Sequence, residues 1–392
     1  MYKLLKHKMP ALTGKGRVFS YMMFFYMLAA GLISPVFAEY LKEITGSESY
    51  VGVLFSLAYF ITFVISILIS KILYKVSRLI LLYIGFFGMA ITYLLFSLID
   101  SAGFLIGVQV LKGFFIAVLF VVIPLMIRDY TDDDKLSREE GRYYWFINLA
   151  WILGPITGGV ISYYLGIRSV FLFSMLILLF SVWFLRHEHI VSICRRKNDE
   201  TRDLVKNLKR FFNKTTFLQA YLVDLGVHLW YIVSVMAIPL YMISSGFSVM
   251  AVGLVMALKV MPLILFEKFI ADHAKGEGIG LSIRNGFIVM VIALIAIAVV
   301  NDVYFSIGMF LIVSLGVAFI EPIKETYLFR HMSREQEDDL YPIYATARQV
   351  AFMIGPVSAG FTITYFGYQV LFLLLGFSLI PMVLVGYLIS KE

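Results

Sequence analysis

The stretch Ala150-Trp151-Ile152-Leu153-Gly154-Pro155-Ile156-Thr157-Gly158-Gly159 has an echo 201 positions on, at Ala351-Phe352-Met353-Ile354-Gly355-Pro356-Val357-Ser358-Ala359-Gly360. At that one offset Ala150, Gly154, Pro155, Gly159, Tyr164, Gly166 and Phe171 meet the identical residues Ala351, Gly355, Pro356, Gly360, Tyr365, Gly367 and Phe372. Self-similarity at a fixed spacing marks a duplicated unit, here of about 200 residues, each copy carrying a Gly-Pro-containing apolar helix.

Composition places these helices in a lipid bilayer. The chain is 60% hydrophobic, 16% aromatic and 15% charged, against about 25% charged in an ordinary soluble domain. Several apolar runs approach 20 residues, about what is needed to cross 30 Å of hydrocarbon. Twelve spans can be laid down, at 17–38, 50–70, 79–98, 103–127, 143–164, 168–186, 215–243, 248–269, 281–300, 303–323, 343–365 and 368–389. The expected fold is therefore all-α and integral to the membrane. Residues 1–186 form one six-helix half, 187–214 a linker, and 215–392 a second, pseudo-symmetric six-helix half. The basic start and Val36-Phe37-Ala38 mimic a cleavable signal, but the run from Val18 to Ala38 exceeds the usual 7–15-residue core, so it reads as an uncleaved first span.

Lys and Arg set the orientation. The net charge of +7 is concentrated in loops that alternate with spans, which reads as topology rather than as a nucleic-acid surface. One set of loops carries most of the basic residues. The opposite side carries only Lys42 and Arg168, and Lys112, Lys259 and Arg348 fall inside spans. Both termini and the linker are then cytoplasmic, in a multi-pass protein of the cell membrane. Within the linker, Asp203 to Phe212 has Leu204, Leu208 and Phe211 at helical spacing among lysines. It reads either as a helix lying on the membrane or as a solvated basic segment. Thr131-Asp132-Asp133-Asp134 lacks the glycine turn and the spaced glutamate of a calcium loop. No His/Cys metal spacing, phosphate-binding loop or nucleophile elbow occurs, so no cofactor is expected, and neither ATP-driven pumping nor enzyme chemistry has residues to carry it.

Two six-span halves, a basic linker and the paired Gly-Pro helices resemble the major facilitator superfamily over the whole chain. Gly154-Pro155-Ile156-Thr157-Gly158-Gly159 looks like that superfamily's antiporter motif, common in exporters; its small residues also suit close helix packing alone. The loop after span two, Ser70 to Arg78, keeps Lys75 and Arg78 of the family pattern but has Tyr74 where the family has aspartate. Asp272 stands near the equivalent place in the second half. Gln109-Val110-Leu111-Lys112-Gly113 resembles the span-four motif with its basic residue moved one turn.

Ionisable groups at mid-bilayer are costly and are functional candidates by default. Lys112, Asp224 and Lys259 each lie about nine to eleven residues into a span, or about 13–17 Å deep. His228 follows Asp224 by one turn. The resemblance puts spans one, four, seven and ten around a central cavity. It thereby implies Lys112, Gln109, Tyr26 and Tyr231 as substrate contacts, and Asp224 and His228 with Lys259 as the proton-coupling group. An Asp224–Lys259 pair reads either as a proton-opened switch or as a static ion pair, and His228 as a relay or as packing. Glu321 is a gate candidate, with Arg348 beside it in reach of a bond. Lys324 and Glu325 read as interfacial residues without a role. Asn148, Gly154, Pro155, Gly355, Pro356, Asp272 and Arg78 complete the expected gating set. The expected activity is secondary active transport of a small organic solute by a monomer in the lipid bilayer, with protons as partner and efflux as direction. Uptake of an organic anion or sugar, and flipping of a lipid or lipid-linked sugar, are the alternatives.

Cys194 is the one cysteine in the chain and reports the orientation directly. A membrane-impermeant maleimide should label it in inverted vesicles and leave it unlabelled in intact cells; the reverse pattern would invert the topology.

Overall fold

A computed structural model describes residues 15–73, 76–131, 136–188, 190, 204–266 and 278–391. Tyr74, Lys75, Asp132 to Asp134, Cys194 and Asp272 lie outside these residues. No strand occurs among the described residues, as expected where no water is present to satisfy free backbone groups. Eleven of the helices are long and apolar enough to cross a bilayer, the last running Asp339–Ile389. Gly367, at φ 82° and ψ 177°, divides that last one, which gives the twelve expected spans.

In chain order the helices are α1 Gly16–Ile33, α2 Phe37–Thr45, α3 Glu48–Leu73, α4 Arg78–Leu98, α5 Ala102–Asp129, α6 Leu136–Leu165, α7 Ile167–His187, α8 Leu204–Phe212, α9 Thr215–Ser244, α10 Val249–Leu258, α11 at 261–266, α12 Ile279–Val300, α13 Val303–Ala318, α14 Glu321–His331, α15 Arg334–Tyr344 and α16 Thr346–Ile389. Three spans are broken, each just ahead of a proline: α1 to α2 before Pro35, α10 to α11 before Pro262, and α13 to α14 before Pro322. Proline has no N–H for the carbonyl four residues back. At the first break that carbonyl, on Gly31, is satisfied by the Ser34 backbone N–H at 3.2 Å and by the Ser34 hydroxyl at 2.8 Å. α8 forms as the linker's spacing suggests, with Phe211 buried and stacked on Phe217.

The helices sort into two compact units, one of Met1–Tyr40, Leu57–Asn198 and Ser248–Ala257, the other of Leu41–Ser56, Asp199–Phe247 and Leu258–Glu392. Each unit thus includes the beginning of a span that belongs, by sequence, to the opposite repeat. In the first unit α10 crosses α6. A Cβ at Gly253 would collide with the Pro155 carbonyl oxygen and sit 3.2 Å from Gly159 Cα. In the second unit α3 crosses α16. A Cβ at Gly52 would collide with the Pro356 carbonyl oxygen and sit 3.2 Å from Gly360 Cα. Gly52 and Gly253 are themselves 201 positions apart, so the repeat extends to the partners of the Gly-Pro helices. The opposite flank of α6 meets α1, where a Cβ on Gly154 would come within 2.7 Å of Gly31 Cα. Backbone packs against backbone at these crossings, as small residues allow in a bilayer where no hydrophobic effect draws helices together.

Gly52→Leu and Gly253→Leu should each destabilise the protein by about 1–3 kcal/mol through overpacking, read as a lower melting temperature in detergent. Gly308→Leu, with open space around its Cβ, is the control and should leave it unchanged.

Candidate functional site

The buried charges concentrate in the second unit, around α9 and α14. Asp224 is 3% exposed and Lys324 is 5% exposed. The Lys324 ammonium bridges two carboxylates, donating to Asp224 Oδ1 at 2.9 Å and to Glu321 Oε1 at 3.0 Å. The Tyr231 hydroxyl lies 3.4 Å from Glu321 Oε2. His228 packs one turn along α9, its Nδ1 3.2 Å from Asp224 Oδ2 and 2.9 Å from the Asp224 carbonyl oxygen. Both neighbours accept, which assigns the imidazole proton to Nδ1. Phe352 stands 5.7 Å from the imidazole. Glu325 accepts from the Tyr341 hydroxyl at 3.1 Å. The Tyr344 hydroxyl is buried without a hydrogen-bond partner among the described residues, and its charged neighbours are Asp224, Glu325 and Glu321.

This arrangement differs from the pairing expected of Asp224 with Lys259. Lys259 instead donates to Ser234 Oγ at 2.7 Å, ten residues beyond Asp224 and so about 15 Å along the helix. The cause is length. α9 has 30 residues, about 45 Å, so counting from its first residue put Asp224 at mid-bilayer and brought it level with a lysine that lies higher. Lys324, expected to be interfacial and without a role, takes the place given to Lys259. It lies in α14 beyond the break ahead of Pro322, on a candidate span that runs from Val303 to His331, longer than hydropathy alone suggested. Glu321 has Lys324 as its cation, and Arg348 stands half-buried near the start of α16. The i,i+3 spacing of Glu321 and Lys324 was the signal available in the sequence.

In the first unit, Arg78 pairs with the buried Asp129 at the end of α5. Asp129 was not among the expected residues. Next to it, burial chiefly pushes the Tyr130 phenol up to about 12, with Asp129 adding and Arg78 opposing. The Lys112 ammonium sits 3.6 Å from the centre of the Phe37 ring and 5.9 Å from that of Phe96, a cation–π arrangement. Gln109 is fully buried, and among the described residues neither its amide nitrogen nor its oxygen finds a hydrogen-bond partner. Tyr26 is 3% exposed and meets Phe120 edge-on at 5.9 Å. Gly154, Pro155 and Pro356 lie at helix contacts described above, a Cβ on Gly355 would come within 2.9 Å of the Ile232 side chain on α9, and Asn148 is half-buried on α6. Among the described residues no three His, Cys, Asp or Glu side chains gather as metal ligands.

The chain matches the sequence profile of the Major Facilitator Superfamily over residues 19–351. An uncharacterised MFS-type transporter of Methanocaldococcus jannaschii is 20% identical over 350 residues, covering 86% of this chain and 87% of the relative. Among solved structures, a bacterial homologue of the human lysosomal transporter Spinster, inward-facing and unoccupied, superposes with a TM-score of 0.79 at 12% identity, covering 97% of each chain. The nucleoside transporter NupG gives 0.78 at 11% identity, covering 97% of this chain and 100% of its own. A bacterial homologue of the iron transporter ferroportin gives 0.74 at 12% identity, over 96% and 98%. At such identities the likeness carries the fold.

Removing the shared cation leaves two acids facing each other. Lys324→Met should therefore cost about 3–5 kcal/mol of stability, and Asp224→Asn combined with Lys324→Gln should cost less than the two changes added. Thermal unfolding in nanodiscs measures both, and strict additivity would deny the pair.

Proposed function

Because the chain belongs to the major facilitator superfamily, we propose that it is a secondary transporter that moves a small organic solute by alternating access and uses the Asp224–Lys324–Glu321–His228 cluster to couple that movement to a proton. The observation that carries this reading is the bridging lysine. With His228 neutral, the buried Asp224 and the part-exposed Glu321 share one ammonium, which leaves this trio one negative charge in excess. One proton cancels it. Taken up at Asp224, the proton removes one partner from Lys324 and leaves the ammonium to Glu321 alone. Taken up at His228 Nε2, it makes an imidazolium that competes with Lys324 for the same carboxylate. Either way the ion pair that links α9 to α14 changes strength with protonation, which is what a coupled switch needs.

Export is the direction favoured by the Gly154–Gly159 motif, whose family counterpart is common in exporters. The reading places a monomer in the cell membrane with both termini in the cytoplasm. Lys259 favours a second reading, transport of an organic anion, since its ammonium is buried on a hydroxyl rather than on an acid.

The test is transport in proteoliposomes under an imposed pH gradient, with internal pH followed by a trapped dye while organic cations, anions and neutral amphiphiles are offered. Wild type should show solute-dependent proton flux, and Asp224→Asn should lose at least tenfold of it. Equal solute movement with and without the gradient, and in the variant, would leave a uniporter or a flippase.

A further inference from the structure

Lys259 stands apart from the acidic cluster. It occupies the break between α10 and α11, is 8% exposed, and follows Val255, Met256 and Ala257, all buried and apolar. Among the described residues its one polar partner is Ser234 Oγ at 2.7 Å. Ser234 in turn donates its hydroxyl proton to the Tyr231 carbonyl oxygen at 2.9 Å. The serine is thereby committed as an acceptor towards the lysine and holds it in one direction. An ammonium has three donors; one is used and two remain. An ammonium buried on a hydroxyl alone is uncompensated, and a visiting anion compensates it.

We propose that Lys259, aimed by Ser234, is the point at which the transported solute is held by a carboxylate, so that the substrate is an organic monoanion. The proposal rests on the transporter reading above and deepens it. One ammonium balances one negative charge. A phosphate dianion would ask for a second cation, whereas a carboxylate can accept both remaining donors. The position suits a separate task, because Ser234 lies about 15 Å along α9 from Asp224. Solute charge and coupled proton then occupy different levels of the same helix, and neither displaces the other.

Benzoate is the probe, with benzamide and benzylammonium as neutral and cationic matches, added to the full-length protein in nanodiscs while its melting temperature is followed. Benzoate should raise the melting temperature of wild type, and its matches should not. Lys259→Met should weaken benzoate at least tenfold, Lys259→Arg should retain it, and Ser234→Ala should weaken it less. If Lys259→Met fails to fold, Lys259→Gln carries the same expectation. No benzoate effect on wild type, an equal effect of benzamide, or a benzoate effect that survives the loss of the lysine overturns the proposal. Asp224→Asn should bind benzoate like wild type while losing proton flux in proteoliposomes. Benzoate binding in a protein that moves no proton and no solute would instead overturn the transporter reading and keep the anion site.

Discussion

Helices in a bilayer have little reason to approach one another, because lipid tails are as apolar as leucine. The structure answers this constraint with glycine placed opposite glycine and proline. At the Gly253–Pro155–Gly159 and Gly52–Pro356–Gly360 crossings, no Cβ separates the two backbones. Dispersion then acts over many close atoms at once. A side chain at Gly52 or Gly253 would force the two backbones apart.

The charges obey a second constraint, that a dry site must balance. Arg78 and Asp129 do so one to one. Asp224, Glu321 and Lys324 do not, and neither does Lys259 on Ser234. One imbalance is an excess of acid and the other an excess of base, and both lie along α9. Such groups are costly to bury, and apolar residues replacing the whole charged set together would stabilise the fold more, although removing one partner alone would not. Their presence is the physical reason for reading α9 as the working helix.

Much of the fold was legible because membrane insertion is written in length and composition. Twelve apolar runs, their breaks and the repeat at a fixed offset needed no knowledge of contacts. The partners of the Gly-Pro helices were harder to see: Gly253 sits three spans from its contact and Gly52 nine, and only their equal spacing betrayed them. The charged cluster was legible residue by residue but not pair by pair. Asp224, His228, Glu321 and Lys259 could be picked out as costly. Which cation met which acid depended on the excess length of α9 and on the break ahead of Pro322, and hydropathy reports neither. Asp129 escaped because it closes a span, where an acid looks solvated, and only the fold brings Arg78 against it.

The two copies agree at the crossings and disagree at almost every polar position. At the same offset Asp224 corresponds to Met23, His228 to Met27, Lys324 to Ile123 and Lys259 to Ala58, while Lys112 corresponds to Val313 and Gln109 to Phe310. Duplication therefore preserved the skeleton twice and let the chemistry drift apart. A homodimer of one ancestral half would have had to carry each buried charge in both places and bear its desolvation twice. Fusion into one chain released each half from that symmetry, so a charge useful in one copy could be replaced by a methyl or a thioether in the other.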